Sequence, residues 1–303
     1  MRPLLIHQAT LAGHRAGVYA LAPGLVPGTF YTSGSDGQVA EWTTANPTQA
    51  HGLAKLAGAC WAMATLPEPG LLVLALNQQG LHFIDLHTRQ ALGSLALPKA
   101  DYFALAPIGP SQIAMADSTG HITLVDAVAG RVVATAQVSD KPLRAARAWG
   151  SQTLLAAGSD GHVRLLALPT LQPLAAWPAH SPTVMALCPL PGQRLATAGR
   201  DARIRLWHLP GTEPTLLQEV PAHHYAVYDV AANPDGTLLL SASMDKTLKL
   251  WDVDTLRLLR VHDKARHQGH GSSVNRCLWL SANEAVSCSD DRTAILWQLA
   301  MPN

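Results

Sequence analysis

Charge is scarce in this chain. Lys, Arg, Asp and Glu supply 14% of its 303 residues, against about a quarter in an ordinary soluble domain. The formal net charge is +1, so no broad field of one sign would steer the protein to nucleic acid or an anionic membrane. Neither partner class is expected. Cysteine is nearly missing as well: Cys60, Cys188, Cys277 and Cys288 form no CxxC pair or other metal spacing, and each lies in a strand-like apolar run. They read as small buried hydrophobes. No apolar run approaches the ~18 residues of a membrane-crossing helix. The opening MRPLLIHQATLAG turns polar after Ile6, too early for a signal-peptide core. The expectation is a reduced, cytoplasmic location without a cleaved leader.

What the chain does have is a repeated phrase. Residues 238–251 read LLLSASMDKTLKLW, two short apolar runs joined by a polar turn. Near-copies are FYTSGSDGQVAEW ending at Trp42, RLATAGRDARIRLW at Trp207 and EAVSCSDDRTAILW at Trp297, while LLAAGSDGHVRLL ends at Leu166 with the Trp lost. Aligned on the turn, the second run ends at Trp42, Asp85, Val125, Leu166, Trp207, Trp251 and Trp297, at spacings of 40 to 46 residues. A period of ~40–45 residues suits four short strands making one propeller blade. Apolar runs of four to seven positions with turn residues between them exclude the helical repeats of similar length.

Each unit carries a further strand before the phrase: VYALAP, CWAMAT, YFALAP, LRAARA, VMALCP, VYDVAA and VNRCLW. A fourth follows the Trp position, as in GRVVATAQV. The last unit is one strand short, and a spare strand over residues 3–8 precedes the first. The expected fold is therefore all-β, a single seven-bladed β-propeller over residues 1–303. Its blades span about 9–57, 58–98, 99–139, 140–178, 179–221, 222–265 and 266–303, the last closed by residues 1–8. Closure of this kind removes exposed strand edges.

The chain resembles the WD-repeat (WD40) family. Gly13-His14, Gly269-His270 and Trp251-Asp252 match its signature dipeptides, with Ala179-His180 and Ala222-His223 as variants, and Trp42 and Trp207 followed by Thr43 and His208. Four units carry a full set at one spacing: His14, Thr32, Asp36 and Trp42; His180, Thr197, Asp201 and Trp207; His223, Ser241, Asp245 and Trp251; His270, Ser287, Asp291 and Trp297. Asp in a tight turn can accept from turn amides and one imidazole nitrogen, while the other nitrogen and the indole N–H meet on the hydroxyl. The resemblance implies that such sets hold a blade together. The same residue types suggest a hydrolase triad, but four copies of an active site are implausible, and a nucleophile needs an exposed place beside an oxyanion hole. In the second, third and fourth units the set is broken, with Gln79, Thr119 and Ala156 at key positions. Those blades are expected to rely on apolar packing alone.

Function is expected at one mouth of the central channel. The second residue of each first strand is Tyr19, Trp61, Phe103, Arg144, Met185, Tyr228 and Asn275, four of them aromatic in a chain that is 5% aromatic. Arg200 and Met244, just before their turn Asp, would extend this patch. Tyr, Trp, Arg and Met favour interfaces, and in the family the resemblance implies, similar positions contact protein partners. The reading is a non-enzymatic scaffold, monomeric by itself and needing no cofactor or metal. It would bind a protein or peptide on Tyr19, Trp61, Phe103, Arg144, Met185, Arg200, Tyr228 and Met244. Lys264, Arg266 and His267 in a long loop before the last unit suggest an acidic or phosphorylated partner. One alternative is a propeller enzyme or metal protein using the channel, although Asp229 and Arg276 are its few charged inner positions. A second is a nucleic-acid-associated protein stacking bases on a platform of Trp61, Tyr19 and Arg144.

Overall fold

The computed structural model describes residues 3–300. Met1, Arg2 and residues 301–303, which the closing blade was expected to include, lie outside the described residues. Seven four-stranded antiparallel sheets are arranged as blades around a central channel. In the first six, consecutive strands run from the channel outward. The seventh takes three strands from the C-terminal end and its outermost from the N-terminal end. That outermost strand, Leu4–Leu11, pairs with Ala294–Ala300 from Leu4 opposite Ala300 to Leu11 opposite Ala294. It runs three residues beyond the expected 3–8, so Ala9, Thr10 and Leu11 belong to the closing strand. Leu5 and Leu11 are 2% and 1% exposed, and burying two leucines makes the closure an apolar latch as well as a ladder.

Burial explains the composition of the strands. The second strand of a blade packs on both faces against neighbouring blades, so it reads as an unbroken apolar run. Leu71–Leu76 (LLVLAL) is buried throughout. Outer strands meet solvent and are mixed, as in Gln90–Ala96, almost wholly exposed. The turn between second and third strands needs a left-handed residue after its Asp. Gly37 and Gly161 supply it at φ +67° and +79°, whereas Ala202, Lys246 and Arg292 adopt it with side chains attached, at a cost of about 1–2 kcal/mol each.

One irregularity recurs in all seven blades. The first and second strands shift register between the first and third residue of the inner strand: Val18/Ala20, Cys60/Ala62, Tyr102/Ala104, Leu143/Ala145, Val184/Ala186, Val227/Asp229 and Val274/Arg276. The skipped residue is a β-bulge, a device that re-aims a side chain. Those residues are Tyr19, Trp61, Phe103, Arg144, Met185, Tyr228 and Asn275.

The degenerate blades are less bare than expected. In the fourth, Ser139 takes the place of the missing His, its hydroxyl 3.1 Å from Asp160 Oδ2, and Arg164 forms an ion pair with the same carboxylate. In the third, Asp117 accepts from the amides of Thr119 and His121 and from the Thr119 hydroxyl. These polar turns correct the expectation of apolar packing alone. The Trp lost at Leu166 has a counterpart in Trp177, on the blade's outer strand, whose ring lies 6.1 Å from Trp207 of the next blade.

Candidate functional site

The four repeated sets are closed networks. His14 Nδ1 lies 3.1 Å from both Asp36 oxygens and its Nε2 is 2.8 Å from the Thr32 hydroxyl, which accepts from Trp42 Nε1 at 2.9 Å. In the fifth blade His180 is 2.8 Å from both Asp201 and Thr197, and Trp207 donates at 3.0 Å. His223 meets Asp245 at 2.8 Å and Ser241 at 2.7 Å, with Trp251 donating at 2.8 Å. His270 meets Asp291 at 3.1 Å and Ser287 at 2.9 Å, with Trp297 donating at 2.8 Å. All four hydroxyl residues are 0% exposed. Each oxygen is already shared between an imidazole and an indole. None is placed to attack a substrate.

Electrostatics fits this arrangement. Burial alone would raise the Asp201 carboxyl, but hydrogen bonds from His180 and Arg205 override it and hold the group at about 2. Asp245 and Asp291 are opposed by burial in the same way, yet bonds to His223 and His270 keep them well below the usual carboxylate range.

The bulge residues gather at the channel mouth. Tyr19 and Trp61 meet edge to face at 6.1 Å, Trp61 stacks on Phe103 at 5.8 Å, and the Arg144 guanidinium lies 4.0 Å over the Phe103 ring. Trp61, Phe103, Arg144 and Met185 line a channel cavity of about 440 Å³. Tyr19 belongs to a second cluster, with its phenol pushed up to about 12 by burial and by a bond to Asp290. The same Asp290 accepts from Asn275 Nδ2 at 2.9 Å, which also donates to the Val18 carbonyl. Tyr228 is raised by its burial and by Asp290. Asp290 therefore draws together residues of the first, sixth and seventh blades.

Arg200 and Met244 are both exposed, Met244 at 46%. Beside Met244 lies a residue that the reading of strand positions passed over. Tyr225, in the loop entering the sixth blade, is 61% exposed, and its neighbour Ala226 accepts from the Met244 amide at 3.0 Å. The available signal was an aromatic in a short polar loop, two positions before the aligned strand. The long loop forms a one-turn helix, Lys264–His267, capped by Asp263. His262, before it, faces inward: it is 1% exposed and packs 5.1 Å from His267 and 5.5 Å from Trp297. Burial, then His267, pushes its imidazole down to about 4. Among the described residues, no helix is long and apolar enough to cross a membrane.

The family model described as "WD domain, G-beta repeat" matches residues 171–208, 214–252 and 262–298. Each match starts near the outer strand of one blade and ends with the third strand of the next, and together they take in the inner three strands of the fifth, sixth and seventh blades. The chain is 32% identical over 88 residues to a WD repeat-containing protein 55 homolog of Drosophila persimilis, covering 29% of this chain and 17% of that one. It is 30% identical over 84 residues to WD repeat-containing protein 37 of Homo sapiens, covering 28% and 16%. The matched stretch thus spans only about a sixth of either relative.

Proposed function

We propose that this propeller, which is similar to WD-repeat proteins over its fifth to seventh blades, is a non-catalytic docking platform for a protein partner, engaged on the mouth formed by the inner-strand bulges. Proteins of this family generally act as interaction scaffolds and are generally non-catalytic. The observation that carries the proposal is the set of seven bulges, which aims one residue per blade at the same opening and fills it with Tyr19, Trp61, Phe103, Arg144, Met185 and Tyr228. A bulge costs ladder hydrogen bonds, and repeating it at an aromatic-rich position favours contact over simple packing.

The exposed ridge on the sixth blade sets the partner's chemistry. Tyr225 and Met244 offer apolar anchors, with Arg200, His224 and Lys246 exposed around them. An apolar centre with a basic rim suits a partner segment with a hydrophobic anchor flanked by acidic side chains. Lys264, Arg266 and His267 belong to the same proposal as a basic extension.

Affinity capture with the intact chain tests the reading. A Trp61→Ala/Tyr228→Ala variant should lose the partner set held by the wild type. Val26→Glu and Val128→Glu, at exposed valines (63% and 62%) in loops on the opposite face, should keep it. An unchanged set with the mouth variant, once its folding is verified by thermal melting, would exclude the mouth.

A further inference from the structure

The channel below the mouth is charged in an unusual way. Arg144, Arg147 and Arg276 all line the cavity of about 440 Å³, facing a single carboxylate, Asp229. Its remaining lining is largely small; Ala20, Ala62, Ala104, Ala145 and Ala186 leave the space open. Among the described residues, none of the three arginines forms an ion pair. Arg144 rests over the Phe103 ring. Arg147 donates to the Ala146 carbonyl at 2.9 Å, and Arg276 reaches across the channel to the Phe103 carbonyl at 3.2 Å. Each guanidinium thus meets only neutral groups, with donors to spare.

Half-buried guanidinium groups without carboxylates are costly to keep. Burial and the charges of Arg200 and Arg276, offset only in part by Asp101, push Arg144 down from its ordinary value. Asp229 does not relieve this: its Oδ2 accepts the Cys277 amide at 3.1 Å. Its Oδ1 is buried and has no donor, on a residue that is 4% exposed. The cavity therefore carries about two positive charges that nothing in its lining balances. A volume of this order is that of a small-molecule site, roughly 300–1,000 Å³.

We infer that the channel binds a small phosphate, free or as a monoester, held by the guanidinium groups of Arg144, Arg147 and Arg276. The phosphate dianion balances the net charge of three guanidinium groups and one carboxylate. The planar guanidinium fork matches phosphate oxygens in pairs. The site lies inside the ring and does not depend on a protein docking at the mouth.

Calorimetric titration of the full chain tests this, with glycerol 3-phosphate, inorganic phosphate and glycerol as probes. Glycerol 3-phosphate and inorganic phosphate should compete for one saturable site, with Kd below about 1 mM; glycerol should give no binding. Arg147→Gln and Arg276→Gln should each weaken both phosphates about tenfold or more. Asp229→Asn should tighten both phosphates, by removing a like charge. Absence of saturable binding to the wild type overturns the inference, as does binding that neither arginine variant changes. Weaker phosphate binding by Asp229→Asn would also overturn it. Melting without ligand identifies any variant that fails to fold, in which case the other arginine variant and the wild-type titration decide.

Discussion

Arg276 of the seventh blade donates across the channel to the carbonyl of Phe103 in the third, at 3.2 Å. The bond links two blades that share no strand ladder. As a structural strut it would be a poor choice, because a neutral carbonyl compensates a half-buried guanidinium only in part. Without added anion, Arg276→Met should therefore melt at or above the wild-type temperature. A fall of several degrees would make Arg276 a structural tie.

The repeated networks should behave in the opposite way. Ser241→Ala leaves the buried Trp251 indole and His223 Nε2 without their shared oxygen, and should cost about 2–4 kcal/mol. Trp251→Ala should cost about 3–5 kcal/mol. The converse change is informative too. Ala156→Ser restores the repeat's hydroxyl in the fourth blade, where Leu166 replaces the Trp, and should destabilise by about 1–3 kcal/mol as an unpaired buried group. Denaturant unfolding measures all three.

Acid should weaken the fold in two stages. His262 titrates at about 4 in the folded chain against an ordinary 6.5, first through burial and then through His267. Between those values the unfolded chain binds the extra proton, so stability falls as pH drops from about 6.5 to about 4. Asp201 is held at about 2 against 3.8, so its contribution is present above 3.8 and is lost as pH falls toward 2. His262→Phe should flatten the upper stage and leave the lower one. His223 is also lowered, mainly by burial, so some slope should persist. Melting temperature against pH for both proteins checks this; superimposable curves between pH 6.5 and 4 would contradict it.

Removing residues 1–8 should open the ring. The deletion strips most of the partner strand from Ala294–Ala300 and takes away Leu5, which is 2% exposed in the core of the sixth and seventh blades. A drop in melting temperature of about 10 °C or more is expected. A change within a degree or two would show that closure does not depend on this strand.

The blades were legible in the sequence because strand and turn chemistry repeats in phase, and seven weak copies reinforce one another. The bulge residues were legible for the same reason, as one column of the repeat. What lay outside the columns was not. Tyr225 sits in a loop whose length varies between blades, so no alignment marked it. Arg276 and Phe103 are 173 positions apart, and only ring closure brings them together. The replacement of an imidazole by Ser139 depends on a side chain from the preceding loop finding Asp160. The closing strand's extension to Leu11 reflects pairing with Ala294, a contact between the two ends of the chain. Local pattern carries the repeat, whereas contacts across the channel and between the termini depend on the assembled ring.

Oxidative footprinting of the captured complex tests the docking proposal most directly, since Trp, Tyr and Met side chains are reactive enough to report contact one by one. In the partner-bound chain, oxidation of Trp61, Tyr225 and Met244 should slow severalfold relative to the free chain. Leu216 and Leu217, exposed at 46% and 48% on an outer strand, should react unchanged. Unaltered rates at the three mouth residues, with protection on that outer strand instead, would place the partner on the rim and contradict the account.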